Sequence, residues 1–156
     1  MDDQRKILSV KTPVISEPAP APEGGSLAHE KPPRVHPKIK SAPKIMQMYW
    51  CNFPRDAQLP EMWKQRPVVV ISPNNKLYEA CTVIPTSTDP ADANRPFVYT
   101  LTTRLDERIS HAICDFPITI ATSRLEIHRT GIPRVTEPEF QEILKRLYKW
   151  LPQIRA

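Results

Sequence analysis

Four β-branched residues in succession, Val68-Val69-Val70-Ile71, are held between Pro67 and Pro73. Side chains branched at Cβ are stiff at χ1 and fit a pleated surface, and each proline removes a backbone donor at one end of the run. The run is too short for a helix and reads as a buried strand. The charged approach Glu61-Met62-Trp63-Lys64-Gln65-Arg66 enters it with no turn residue, which sets Arg66 at the mouth of the strand. Pro67 biases Arg66 away from the helical region, so a restrained backbone carries the arginine where strand meets loop. Taken alone, such an arginine is more often a surface or ion-pairing group than a working cation.

The rest of the chain offers further strands of this kind. Residues 45–53 form a dense apolar stretch of strand length, 54–60 a loop, and Pro73-Asn74-Asn75-Lys76 a turn. A third strand spans 80–84 and ends at Pro85, with Thr86, Ser87 and Thr88 just beyond it, where hydroxyls commonly satisfy turn backbone. Residues 89–96 read as a polar loop, 97–101 as a strand, 104–110 as a turn or short helix, and 111–116 and 118–121 as strands split by Pro117. Many short strands at close spacing imply a small antiparallel barrel or sandwich. One helix follows. Thr136 and Glu139 match a capping box, Pro138 falls in the first turn, and Phe140, Ile143, Leu144, Leu147, Trp150 and Leu151 recur at helical spacing. The fold class is mainly β, with a C-terminal amphipathic helix packed on the barrel.

The 156 residues suit one domain, and Pro 19 against Gly 3 points to a proline-rich segment outside it. That segment is residues 1–44, expected as a disordered basic tail ahead of a folded domain at 45–156. A net charge of +5 fits a polyanionic partner but speaks to encounter rather than fold. Cys51, Cys81 and Cys114 include no C-x-x-C pair, and each lies in or beside an apolar run. They read as buried reduced thiols of a cytoplasmic protein, neither a disulfide framework nor a zinc site. His29, His36, His111 and His128 show no ligand spacing, so no metal or other cofactor is expected. No stretch is apolar for long enough to span a bilayer, and no membrane partner is expected.

The joint pattern resembles the PemK/MazF family of toxin endoribonucleases from bacterial toxin–antitoxin modules. The resemblance runs through Trp50-Cys51-Asn52-Phe53, Glu61 with Arg66-Pro67-Val68-Val69-Val70-Ile71-Ser72, Val83-Ile84-Pro85-Thr86-Ser87-Thr88, Ile113-Cys114-Asp115 and Ser123-Arg124-Leu125, together with the terminal helix. It implies a Src-homology-3-like β-barrel, a homodimer, cleavage of single-stranded RNA without a metal, and neutralisation by a cognate antitoxin. By position, Arg66 matches the family's active-site arginine and Ser87 its active-site hydroxyl residue, usually threonine. Glu61 matches an acidic residue ahead of that arginine, and Asp115 an acidic position near the RNA groove. Met46, Gln47 and Asn52 depart from the glycine and acidic residues common in the family's first strand.

Metal-free RNA cleavage needs a base for the 2′-hydroxyl, donors for the phosphorane and an acid for the leaving 5′-oxygen. Arginine stays charged, so Arg66 suits the phosphate and not the proton transfer. Ser87 can donate to the same phosphate, Glu61 is the candidate base, and Asp115 a candidate acid. Trp50, Phe53, Trp63 and Tyr78 are candidates for stacking on bases, Trp63 foremost because it lies in a charged loop; Lys64, Thr86 and Thr88 are candidate RNA contacts. The same barrel also admits a non-catalytic protein, either a gyrase-poisoning toxin of the CcdB kind or an RNA binder without activity.

Overall fold

The computed structural model describes residues 30–155, and the folded unit begins at Arg34. Seven strands, β1 (Met48–Asn52), β2 (Gln65–Val70), β3 (Ala80–Ser87), β4 (Val98–Thr100), β5 (His111–Ile113), β6 (Ile118–Ala121) and β7 (Leu125–Glu126), precede one helix, α1 (Glu137–Trp150). Every strand pairing is antiparallel. The sheet runs β4-β5-β3-β2-β1-β7, with β6 also on β3.

This order forces the sheet to curl. Between β6 and β7 lie β3, β2 and β1, so in a flat sheet those outer strands would stand roughly 19 Å apart at ordinary strand spacing. Only the 3-10 turn Thr122–Arg124 joins them, and four chain steps reach at most roughly 14 Å. The two edges are therefore drawn together. Thr122 is buried at this junction and donates its hydroxyl to the carbonyl of Leu77.

Val68, Val69 and Val70 are all at 0 % exposure, which requires cover on both faces of β2. One face joins Val69, Met48, Ile84 and Ala112 to Phe140 and Ile143 of α1; the other joins Val68, Val70, Tyr49, Cys51, Val83, Ile120 and Leu125. Continuous rather than alternating hydrophobicity in the sequence follows from this double burial. The three cysteines are free and buried. Burial pushes the thiols of Cys51 and Cys114 up to about 12 and that of Cys81 up to about 11, so all three stay protonated at neutral pH.

Several boundaries differ from the sequence reading. β3 does not stop at Pro85: it continues through Thr86 and Ser87, which pair with Ala112 and His111. On that edge β6 pairs only as far as Val83 and the pairing with β5 covers Thr86 and Ser87, leaving Ile84 and Pro85 between the two. A missing donor there breaks no bond to either strand. Met46 has φ 71°, which interrupts the extended chain before β1. Residues 89–96 contain a 3-10 turn, Pro90–Asn94, entered through an Asp89 cap that accepts from the Ala91 amide at 2.9 Å. Order also begins before residue 45. Ile39 is 3 % exposed and packs in the Val68 and Leu125 core; residues 1–29 of the expected tail lie outside the described residues. The helix has the capping box its sequence announces, and no helix among the described residues is long and apolar enough to cross a membrane.

Candidate active site on strands β2, β3 and β5

The β2–β3 register pairs Val68 with Pro85, and two more steps bring Arg66 opposite Ser87. The intervening step is secured by the Thr86 hydroxyl, which donates to the Pro67 carbonyl at 2.9 Å. On the other edge of β3, Ser87 stands opposite His111, and His111 opposite Thr100, whose hydroxyl is 2.9 Å from His111 Nδ1. Opposed residues of antiparallel strands share a face. Arg66, Ser87, His111 and Thr100 thus form one row across four strands.

The 3-10 turn after β3 folds back over this row. Ser87 Oγ accepts from the Asp89 amide at 3.2 Å, which leaves the hydroxyl proton free for a second partner. Asp92 stands close by. Its carboxyl is held below the usual carboxylate range, first by the neighbouring Ser87 hydroxyl, against a smaller opposing effect of burial, then by Arg95 and by the charge of Arg66. Arg95 Nη1 meets Asp92 Oδ1 at 3.1 Å, and Arg95 Nη2 lies 4.0 Å from Asp115 Oδ2. Arg95 thus bridges Asp92, the neighbour of Ser87, and Asp115. Asp115 Oδ1 is buried with no hydrogen-bond partner among the described residues.

Arg66 is half-buried, and its Nε donates to the Trp63 carbonyl at 3.2 Å. No carboxylate forms an ion pair with it among the described residues. The loop before β2 is shaped by Lys64 at φ 59°, a left-handed conformation that an L-residue adopts at some cost. Lys64 Nζ lies over the Trp63 ring, 5.1 Å from its centroid, and the ring is 48 % exposed.

The other sequence candidates divide by position. Glu61 is exposed on the same loop, with its carboxylate accepting from the Gln58 amide at 2.9 Å; no bond joins it to Arg66 or Lys64. Thr88 is half-buried just past β3. Thr86 is removed from any ligand contact, being at 0 % exposure with its hydroxyl on Pro67. Trp50 is partly buried against the helix-facing core, its ring 6.3 Å from that of His128. Phe53 is buried core, and Tyr78 is exposed with its ring edge-on to His36 at 6.1 Å. Asp92 and Arg95 are the residues the sequence did not single out. The Asp89-Pro90 pair is the signal that was available, since a capping aspartate before proline starts a tight turn and fixes where the next charges point.

Residues 44–151 match the family described as PemK-like, MazF-like toxin of type II toxin-antitoxin system. The chain belongs to this family. Among solved structures, MazF from Deinococcus radiodurans is 20 % identical over 70 % of this chain and 96 % of its own, with a TM-score of 0.57. An endoribonuclease in complex with its cognate antitoxin from Mycobacterial species is 19 % identical over 72 % of this chain and 100 % of its own, at 0.53. The MazE-MazF structure from Deinococcus radiodurans is 18 % identical over 70 % and 95 %, at 0.52. At such identities the likeness establishes the fold. No curated protein matches in sequence. The PemK/MazF match starts after Lys38 and Ile39, which lie on an arm ahead of the matched residues.

Proposed function

We propose that this PemK/MazF-family protein is an endoribonuclease toxin that cleaves single-stranded RNA without a metal, selects its sites by sequence, acts as a homodimer and is neutralised by a cognate antitoxin. The observation that carries the reading is the pairing of Arg66 with Ser87 on one face of adjacent strands. Family membership and the endoribonuclease among the structural neighbours support the same chemistry.

In this reading the guanidinium of Arg66 approaches the non-bridging oxygens of the scissile phosphate, where its fixed charge matches the charge that accumulates in the phosphorane. Nε is already committed to the Trp63 carbonyl, which leaves the terminal nitrogens for the phosphate. Ser87 supplies the neighbouring hydroxyl. Asp92, whose carboxyl is held below the usual range beside that hydroxyl, stays ionised and does not itself transfer a proton at neutral pH. Glu61 is the proposed base for the 2′-hydroxyl, because its one bond, to an amide on an exposed turn, is readily exchanged for another donor. Asp115, with an unpartnered oxygen, is the proposed acid for the leaving 5′-oxygen.

Ser87→Ala is expected to slow single-turnover cleavage by roughly 10- to 100-fold with little change in RNA affinity. Parallel affinity and rate losses would make Ser87 a binding group only; loss of folding would make it structural. Expression in cells tests the function itself. Growth arrest is expected with cleaved transcripts, and arrest with trapped DNA breaks and intact transcripts would refute the nuclease reading.

A further inference from the structure

Beside the loop that carries Arg66 lies a second, polar cleft of about 510 Å³, lined by Asn52, Arg55, Trp63, Lys64, Gln65, Glu126 and the arm residue Lys38 among others. Its floor is the carboxylate of Glu126. Asn52 Nδ2 donates to Glu126 Oε1 at 2.7 Å, Gln65 Nε2 donates to Oε2 at 3.2 Å, and the Lys38 ammonium pairs with Oε1. A carboxylate ringed by amide donors, an exposed indole and three cations at one cleft is a set suited to a nucleotide. The indole offers a face for stacking, the cations hold phosphate, and the carboxylate and amides address a base edge.

We propose that this cleft binds a guanine base of single-stranded RNA next to the scissile phosphate. Of the four bases, guanine alone presents two adjacent N–H donors, at N1 and N2, beside an acceptor at O6. Two carboxylate oxygens match the first pair, and a side-chain amide donor matches the third group. Binding exchanges bonds rather than adding to a satisfied carboxylate. The base edge takes the places that Lys38 and Gln65 occupy on Glu126, the Gln65 amide turns to O6, and the Lys38 ammonium moves to the flanking phosphate. Trp63 stacks on the base while Lys64 holds the opposite face of the indole.

The cleft is tied to the active site by two short links. Gln65 and Arg66 are consecutive residues of β2, opposite Asn52 and Cys51 on β1, so their side chains leave opposite faces and the cleft adjoins the active-site row around the start of the strand rather than sharing its face. The Trp63 carbonyl also holds Arg66 Nε, so fixing the indole by stacking fixes the guanidinium. Lys38 precedes the family-matched residues 44–151, which makes the base-reading edge partly a property of this chain's own arm.

The inference rests on the RNA-cleavage reading, and one experiment separates the two. The probes are oligouridines with a single central guanosine, inosine or adenosine, methylated at every 2′-oxygen so that they cannot be cut, and binding to the full chain is read by fluorescence anisotropy. The wild type is expected to bind the guanosine oligomer about tenfold more tightly than the inosine one, which lacks only the N2 donors. Glu126→Gln is expected to erase that preference while keeping the affinity for the adenosine oligomer, and Trp63→Ala to weaken all three by about tenfold. Equal affinity for guanosine and inosine, or an undiminished preference in Glu126→Gln, overturns the guanine site and leaves cleavage untouched. Failure of every oligomer to bind overturns both readings.

Discussion

Arg66→Ala is expected to lower the single-turnover rate of RNA cleavage by about a hundredfold to a thousandfold, the usual cost of removing one preorganised donor from a developing anion. The residue is half-buried at the start of β2, with its terminal nitrogens uncommitted among the described residues and its charge already felt by Asp92. Truncating it should leave the barrel intact, because the core of β2 begins at Pro67 and is made by Val68, Val69 and Val70. Arg66→Lys is expected to recover only part of the rate, since an ammonium keeps the charge but cannot present a planar fork to two phosphate oxygens. The checks are quenched-flow cleavage and thermal unfolding on the same samples. A rate within threefold of wild type would remove Arg66 from the chemistry.

The largest stability effect is expected at Glu139. This carboxylate is 2 % exposed and closes the capping box of α1, accepting from the Thr136 amide at 2.9 Å and hydroxyl at 3.0 Å. It also pins residues 102 and 103, accepting from the Thr102 amide at 2.6 Å and hydroxyl at 2.8 Å and from the Thr103 amide at 3.0 Å and hydroxyl at 2.6 Å. Burial by itself would raise its pKa, but the hydrogen bonds from Thr103, Thr136 and Thr102 outweigh burial and bring it from 4.5 to about 2. A depressed folded-state value means stability that is present above the unfolded value and lost as pH falls through the folded one. Glu139→Ala should therefore cost about 3 kcal/mol at pH 7. The gap between variant and wild type should narrow as pH falls from 4.5 to about 2. Urea unfolding across that range checks both statements; a gap that does not change with pH would mean that packing, not the ionised carboxylate, supplies the stability.

The sequence exposed these two residues unequally. Glu139 was legible as half of a capping box, a local pattern completed within one turn, but its grip on Thr102 and Thr103 depends on the sheet packing α1 against β4 and was invisible. The double burial of β2 was present in the unbroken Val run. The partition of β3 between β6 and β5 was not, because Pro85 ends a strand in most settings and only the gap between its two partners makes it harmless here. β7 holds two residues, too few to display any period, yet it contributes Glu126 and with Asn52, Gln65 and Lys38 builds the second cleft. Family resemblance points to Arg66 and Ser87, and the strand register sets them on one face. Asp92 and Arg95 look like ordinary loop charges in the sequence because a 3-10 turn of five residues gives little signal beyond its Asp-Pro start. Ile39 reads as part of a tail because its neighbours are prolines and lysines; one apolar side chain suffices to seat a segment when a core opening matches it.

Metal-free cleavage is tested by incubating the purified chain with an end-labelled single-stranded RNA in excess EDTA and resolving the products by length and terminal group. Discrete cuts leaving 2′,3′-cyclic phosphates and 5′-hydroxyls are expected, absent from an RNA carrying 2′-deoxy sugars at the cut positions. Intact RNA, or equal cutting of the 2′-deoxy strand, would contradict it.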